Sequence, residues 1–268
     1  MKFTNLLLIF MFLWSTSSGY LVETSAEASP GPSYDASFDR FCHSFFDLLH
    51  GDVAKPDYEV FRCALMGFFN LKADNNIKKN ILTIIDYSIS SKFERMWIVD
   101  LNTMVIVHRC LVAHGRNSGE EFAGKFSNAP ASHESSLGFY ITGSFYYGGN
   151  GLSLLLDGAE PGINDNARSR EIVMHGADYV SSEFVEKYGR LGRSFGCPAI
   201  PLKDHERIIK MLAGRSCLYI HYPDDSYESS SSMLSTQTAL RGIYLFLSEK
   251  AGLPKPFSGL ISDKCTSR

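Results

Sequence analysis

A succession of short β-branched or aromatic runs limits what this chain can become. Ile81–Ile85, Met96–Leu101, Met104–Val112, Gly138–Tyr146, Leu152–Leu156, Arg170–Met174 and Cys217–Tyr222 are each bounded by Asp, Asn, Gly or Ser. Runs of this length, closed by turn formers, read as strands. Asn102-Thr103 reads as one hairpin turn, and Gly148-Gly149-Asn150-Gly151 as a flexible hairpin tip near the site. Strands packed so densely predict a mainly β, α+β fold, as a sandwich or a closed sheet. The aromatic share of 13% agrees.

Helical spacing occurs at both ends. Phe38, Phe41, Phe45 and Phe46 mark a helix over Ser37–Leu49. Pro56 opens a second that carries Val60, Phe61, Ala64, Leu65, Phe68 and Phe69. A Phe stripe of this kind is core packing, and the two helices read as a cap on the β body. Further helices are expected over Lys203–Leu212, stopped by Gly214, and over Leu234–Lys250; Asp224–Ser232 reads as a polar loop.

Lys2, the apolar run Leu6–Trp14 and the small residues Ser15–Gly19 read as a secretory leader. The apolar run is too short to span a bilayer, so no membrane span is expected after cleavage. The mature chain is therefore expected to work outside the cytoplasm. A net charge of −3 offers no general attraction to nucleic acid. Six cysteines, Cys42, Cys63, Cys110, Cys197, Cys217 and Cys265, suit an exported chain with disulfides, and Cys42–Cys63 is one candidate bridge. Cys110 and Cys217 lie in apolar runs and read as buried thiols. No His/Cys spacing suits a metal, and no cofactor is expected.

The chemistry-bearing stretch is Glu171–Pro201. His175-Gly176 closes the apolar run Ile172-Val173-Met174, which places the histidine at a strand end. A polar stretch then leads to Gly192-Arg193-Ser194-Phe195-Gly196-Cys197-Pro198. A thiol reacts as thiolate and needs a base or a positive field. His175 supplies the base, Arg193 the field, and the start of the 203–212 helix a further positive end. Gly196 lets backbone approach a substrate, and the amides of Gly196 and Cys197 can face an oxyanion. Residue types alone leave two readings open: a catalytic Cys–His pair, or a turn cysteine beside an unrelated histidine.

A His-Gly followed by a loop closing on Ser-x-Gly-Cys resembles the YkuD-type L,D-transpeptidases of peptidoglycan. The wording Gly192–Ala199 resembles the murein L,D-transpeptidase catalytic domain branch. The likeness extends through Val112-Ala113-His114-Gly115, Phe126-Ser127-Asn128, Ser135–Tyr140, Asn164–Arg168 and Arg170–Gly176, covering roughly residues 80–222. Many members carry His before the Gly-Cys and Arg soon after it; here those places hold Phe195 and Pro198-Ala199. The resemblance implies a YkuD-like β-sandwich with peripheral helices, and a Cys acyl-enzyme formed on peptidoglycan stem peptides. Divided on this basis, residues 1–19 are the leader, 20–36 a linker, 37–75 the helical cap, 76–225 the catalytic domain and 226–268 a C-terminal loop and helix.

The stem peptide implied by the resemblance ends in a D-residue carboxylate, for which Arg193 is the preferred partner and Arg168 and Arg170 the reserves. Ser194 either holds the turn or touches substrate. Tyr140 or Tyr179 can lend a hydroxyl to the oxyanion. His114 reads as a second site imidazole or, preferably, as a turn cap. His108, His133, His205 and His221 read as structural. A catalytic Cys197 is expected to be alkylated quickly near neutral pH. An L,D-carboxypeptidase, another cysteine peptidase or amidase, and a non-catalytic wall-binding module are the competing functions.

Overall fold

The computed structural model describes residues 34–251. The leader, most of the linker and Cys265 lie outside the described residues. The elements in chain order are α1 (Tyr34–Leu48), α2 (Tyr58–Ala73), β1 (Ile81–Asp86), β2 (Met96–Asp100), β3 (Val105–Cys110), β4 (Gly138–Gly148), β5 (Gly151–Gly158) and β6 (Val173–Ala177). They continue with α3 (Ser182–Tyr188), β7 (Ala199–Pro201), α4 (His205–Leu212), β8 (Cys217–His221), α5 (Asp225–Ser230) and α6 (Thr236–Lys250).

The strands form one mixed sheet in the order β3-β2-β1-β8-β4-β5-β6-β7. β1 and β8 are parallel, as are β6 and β7; the other neighbours run antiparallel. Its two edges meet. After β3 the chain crosses to β7, where Ala113 N–H donates to Ala199 O (2.9 Å) and Ala199 N–H returns the bond (3.3 Å). One residue on, Ser194 N–H donates to His114 O (3.0 Å) and Arg116 N–H to Ser194 O (2.8 Å). The expected mainly β architecture is present as a single sheet curled almost into a barrel.

This seam rests on a buried guanidinium. Arg95, fully buried, donates to Val112 O (2.9 and 3.1 Å), Ile89 O (2.7 Å) and His114 Nδ1 (2.8 Å), and lies 4.8 Å over the Tyr87 ring. Burial lowers its pKa to about 10, so it stays charged at neutral pH. Tyr87 Oη donates to Ala113 O (3.2 Å) from the same side.

α1, α2 and α6 form a helical layer whose Phe stripe interlocks as expected. Phe41 and Phe45 lie 4.2 Å apart, and Phe69 meets Phe246 of α6 at 5.6 Å. Gly67 of α2 faces the Phe139 ring so closely that a Cβ would lie 2.1 Å from it, and Phe139 stacks on Tyr219 at 4.3 Å. α2 and α6 are also tied by Lys72–Glu249 (2.6 Å). None of the helices among the described residues is long and apolar enough to cross a membrane.

Several expectations need correction. Cys42 and Cys63 are free thiols; Arg62 and Glu59 act on both, with Asp39 beside the first and Glu228 beside the second. Burial pushes Cys63 up to about 11 and Cys42 higher. Cys110 and Cys217 are buried free thiols, as read. α1 starts at Tyr34, inside the stretch assigned to linker. Asp224–Ser232 contains α5, capped by Asp224, which accepts from Ser226 N–H and Tyr227 N–H; Tyr227 Oη then donates to buried Glu160 (3.2 Å). Strand β6 begins three residues later than its apolar run suggests, because residues 161–171 turn and Glu171 adopts φ 58°.

Replacing Arg95 by Met should strand the Val112 and Ile89 carbonyls and destabilise the seam by about 1–3 kcal/mol per stranded group. Chemical denaturation measures this as a lower midpoint; an unchanged midpoint would remove Arg95 from the account of closure.

Candidate active site

The late start of β6 puts His175 in mid-strand, not at a strand end. It is paired with Ser153 of β5 and Ala199 of β7. Cys197 lies two residues before Ala199, so the two side chains come from neighbouring strands. Both line a cleft of about 420 Å³ together with Asn150, Asp178, Tyr179, Arg193, Phe195 and Leu202. The Gly148–Gly151 hairpin tip thus reaches the site through Asn150, as expected.

His175 is buried and its Nδ1 lies 3.0 Å from Gly176 O. A carbonyl only accepts, so the proton sits on Nδ1 and Nε2 keeps a lone pair. Burial lowers the His175 pKa, and His205 lowers it further. Gly176 is required: a Cβ there would lie 2.6 Å from the His205 ring, which closes the back of the site at the start of α4.

Burial pushes the Cys197 thiol above its ordinary value, against weaker opposing pulls from Val173 N–H and Arg170. Sγ accepts from Val173 N–H at 3.4 Å, and its hydrogen points to Glu171 O at 3.7 Å. The α4 start lies against Gly176. Burial and the hydrogen directed at Glu171 O thus both favour the thiol form.

The loop before Cys197 is tied from within. Ser194 Oγ accepts Gly196 N–H (3.1 Å) and donates to Cys197 O (2.6 Å). Ser135 Oγ accepts Gly115 N–H (3.0 Å) and donates to Gly196 O (3.1 Å). Gly196 has φ +120°, and a Cβ there would meet Glu134 O at 2.8 Å. Gly196 N–H is thus committed to the loop, while Cys197 N–H lies against its own thiol. Ser194 ties the loop and also lines the cleft.

Tyr140 and His114 lie outside the cleft lining, whereas Arg193 is part of it. Arg193 donates from Nη1 to Glu120 Oε1 (2.6 Å) and to the Arg116 and Gly119 carbonyls (3.1 Å each), which ties it to the 116–120 loop. Tyr140 is buried with its hydroxyl on Ser136 O (3.0 Å); Tyr179 is the tyrosine that lines the cleft. His114 is buried, held neutral with its pKa lowered to about 3 by burial and Arg95, and lies under the loop. It donates from Nε2 to Gly119 O (3.3 Å), which is the turn-capping role.

Sequence reasoning undervalued Arg170. Its guanidinium donates to Ser127 O, Ser136 Oγ, Ser132 Oγ and Glu134 O (2.6–3.0 Å) and stands behind Gly196 as the cation whose field reaches Cys197. Its position five residues before His175 was the available signal. Arg168 forms the solvated ion pair expected of it, with Asp157 at 2.7 Å.

A family profile described as L,D-transpeptidase catalytic domain matches residues 53–221. No curated protein matches the chain. Solved structures similar to it include an L,D-transpeptidase from Mycobacterium smegmatis, at 10% identity and TM-score 0.33 over 53% of this chain. The helical cell shape determining protein Pgp2 from Campylobacter jejuni is similar at 14% identity and TM-score 0.36 over 70%. An L,D-transpeptidase from Xylanimonas cellulosilytica is similar at 10% identity and TM-score 0.30, over 76% of this chain and all of that one. The chain spans 59% of the mycobacterial structure and 65% of the Campylobacter one. With scores this low, the family assignment rests on the profile.

Ser194→Ala should leave Gly196 N–H unpaired and cost about 1–3 kcal/mol. The expected result is a lower unfolding midpoint with faster alkylation of Cys197 as the loop loosens. Unchanged values for both would mean that Ser194 does not hold the turn.

Proposed function

Since this chain belongs to the L,D-transpeptidase catalytic domain family through its match over residues 53–221, we propose that it is an exported enzyme of peptidoglycan stem peptides working through a Cys197 acyl-enzyme. The observation that carries this reading is the pairing of His175 and Cys197 in one cleft, with Gly176 O holding the imidazole so that Nε2 is the base.

The thiol is protonated at rest, so proton removal accompanies attack. His175 Nε2 takes the proton from Sγ as sulfur bonds to the carbonyl carbon of the L-residue in the donor stem. Cys197 N–H and the Tyr179 hydroxyl support the developing oxyanion; burial lifts Tyr179 to about 12, which keeps it a donor. The imidazolium then gives its proton to the departing D-residue amine, leaving a thioester. An acceptor amine from a second stem, with its proton passing to His175, releases a cross-linked product. With water as acceptor the same steps make an L,D-carboxypeptidase, and product analysis separates the two.

The reading is tested by intact mass after incubation with a carbapenem, the acylating probe implied by the family resemblance. One drug mass should be gained by the wild type and none by Cys197→Ala. A folded wild type that gains nothing would favour a wall-binding module. His175→Asn should slow acylation by roughly 10²–10⁴-fold, the usual weight of a general base. Because the His175 pKa is lowered, the base stays neutral as pH falls through the ordinary imidazole range near 6.5. The acid limb of the rate profile should therefore lie below that value; a limb above it would contradict the assignment.

A further inference from the structure

The β4–β5 hairpin carries an exposed surface that the chemistry at Cys197 does not use. β4 pairs with β8 only over Gly138–Ile141, and β5 with β6 only over Ser153–Leu155. The end of the hairpin, Tyr147 to Leu152, therefore pairs only with itself. Charged residues make up 21% of the chain, yet no Asp, Glu, Lys, Arg or His occurs from Gly138 to Leu156. The arm presents Phe145, Tyr146 and Tyr147 instead, all three exposed.

These rings divide between two faces, because side chains alternate along a strand and opposed residues share a face. Tyr146 is opposite Ser153, Ser153 is opposite His175, and His175 is opposite Ala199. Tyr146 thus stands on the face from which His175 enters the cleft, two strand spacings or about 10 Å away. Phe145 and Tyr147 stand on the reverse face, where α4 packs: Gly176 faces His205 there, and Tyr147 lies in the field of Lys210. The Tyr146 ring lies across Gly148. A Cβ at Gly148 would meet ring Cε2 at 2.6 Å, so glycine leaves that place to the ring, whose residue stays 42% exposed. Two residues further on, Asn150 lines the Cys197 cleft. One uncharged arm thus offers an amide to a molecule in the cleft and an open aromatic ring beside it.

Such a surface has no charge to offer an anion or a phosphodiester chain. It suits a pyranose, which lays an apolar C–H face on an aromatic ring and carries a rim of neutral hydroxyl and amide groups. A stem peptide is a branch of a glycan strand, so the cleft's occupant continues into sugar. We propose that Tyr146, lying across Gly148 beside the Cys197 cleft, is a sugar-stacking site that holds the glycan strand from which the bound stem peptide branches. This rests on the stem-peptide reading above and extends it from the peptide to the polymer. Tyr146 takes no part in bond making; it favours stems still attached to glycan over free peptides.

Binding is measured by titration calorimetry in the Cys197→Ala protein, where no acyl-enzyme forms. The probes are a stem tetrapeptide and the same tetrapeptide on its disaccharide. The disaccharide form should bind roughly 2- to 10-fold more tightly, the range for one aromatic stacking contact. Tyr146→Ala should remove the preference by weakening the disaccharide form alone, and Gly148→Ala should do so by displacing the ring. Tyr146→Phe should keep it, and Tyr147→Ala, on the reverse face, should leave both affinities unchanged. Equal binding of the two probes, or a preference untouched by Tyr146→Ala in a folded protein, would overturn the sugar site while the stem-peptide reading stands. Sedimentation of that variant would then show whether the ring pairs copies of the chain instead. Tyr147→Ala matching the loss in Tyr146→Ala would equally overturn the assignment to the Tyr146 face. If neither probe binds, the stem-peptide reading falls and the sugar site with it.

Discussion

The rest of the structure hangs on the seam where the sheet meets itself. A curled sheet has two edges with unpaired backbone groups, and joining them removes both. Here the joint is short, and a buried arginine supports it from within. Among the described residues Arg95 forms no ion pair at contact distance; carbonyls and one imidazole nitrogen absorb its donors. A buried cation is costly unless its hydrogen bonds are complete. That requirement makes the position of residues 112–114 exacting, and the Cys197 loop is bonded directly to His114 and Arg116 of the same segment.

The candidate site inherits this rigidity. His175 is gripped on both sides by strands, and Cys197 sits where loop becomes β7. Ser135 and Ser194 tie the turn, while Arg170 backs it. The cost of such fixing is that Gly196 N–H serves the loop. In the proposed mechanism, support for an oxyanion is then shared between one backbone amide and a side chain from elsewhere in the cleft lining, Tyr179.

What was legible in the sequence followed from local physics. Strands β1 to β5 and β8 showed themselves through β-branched and aromatic runs, and the Phe stripes of α1 and α2 through helical spacing. Cys197, His175 and Gly176 were legible as a motif. Short polar elements were not: α3 and α5 are Ser- and Glu-rich single turns or little more, defined by their caps. β7 has only three residues. The partners of the site arginines were hidden for a different reason. Arg193 looked available because it is near Cys197 in sequence, yet Glu120 claims it from across the seam. Arg116, His133 and Phe195 meet only once the sheet has closed.

The raised thiol has a consequence for durability. Disulfide exchange and peroxide oxidation both begin from thiolate. With burial raising its pKa and its hydrogen pointed at the Glu171 carbonyl, Cys197 offers little of that form on its own; in the proposed mechanism it does so only once a substrate and His175 draw the proton away. A sulfur armed in advance would be open to stray oxidants and low-molecular-weight thiols. One armed only by its substrate can wait.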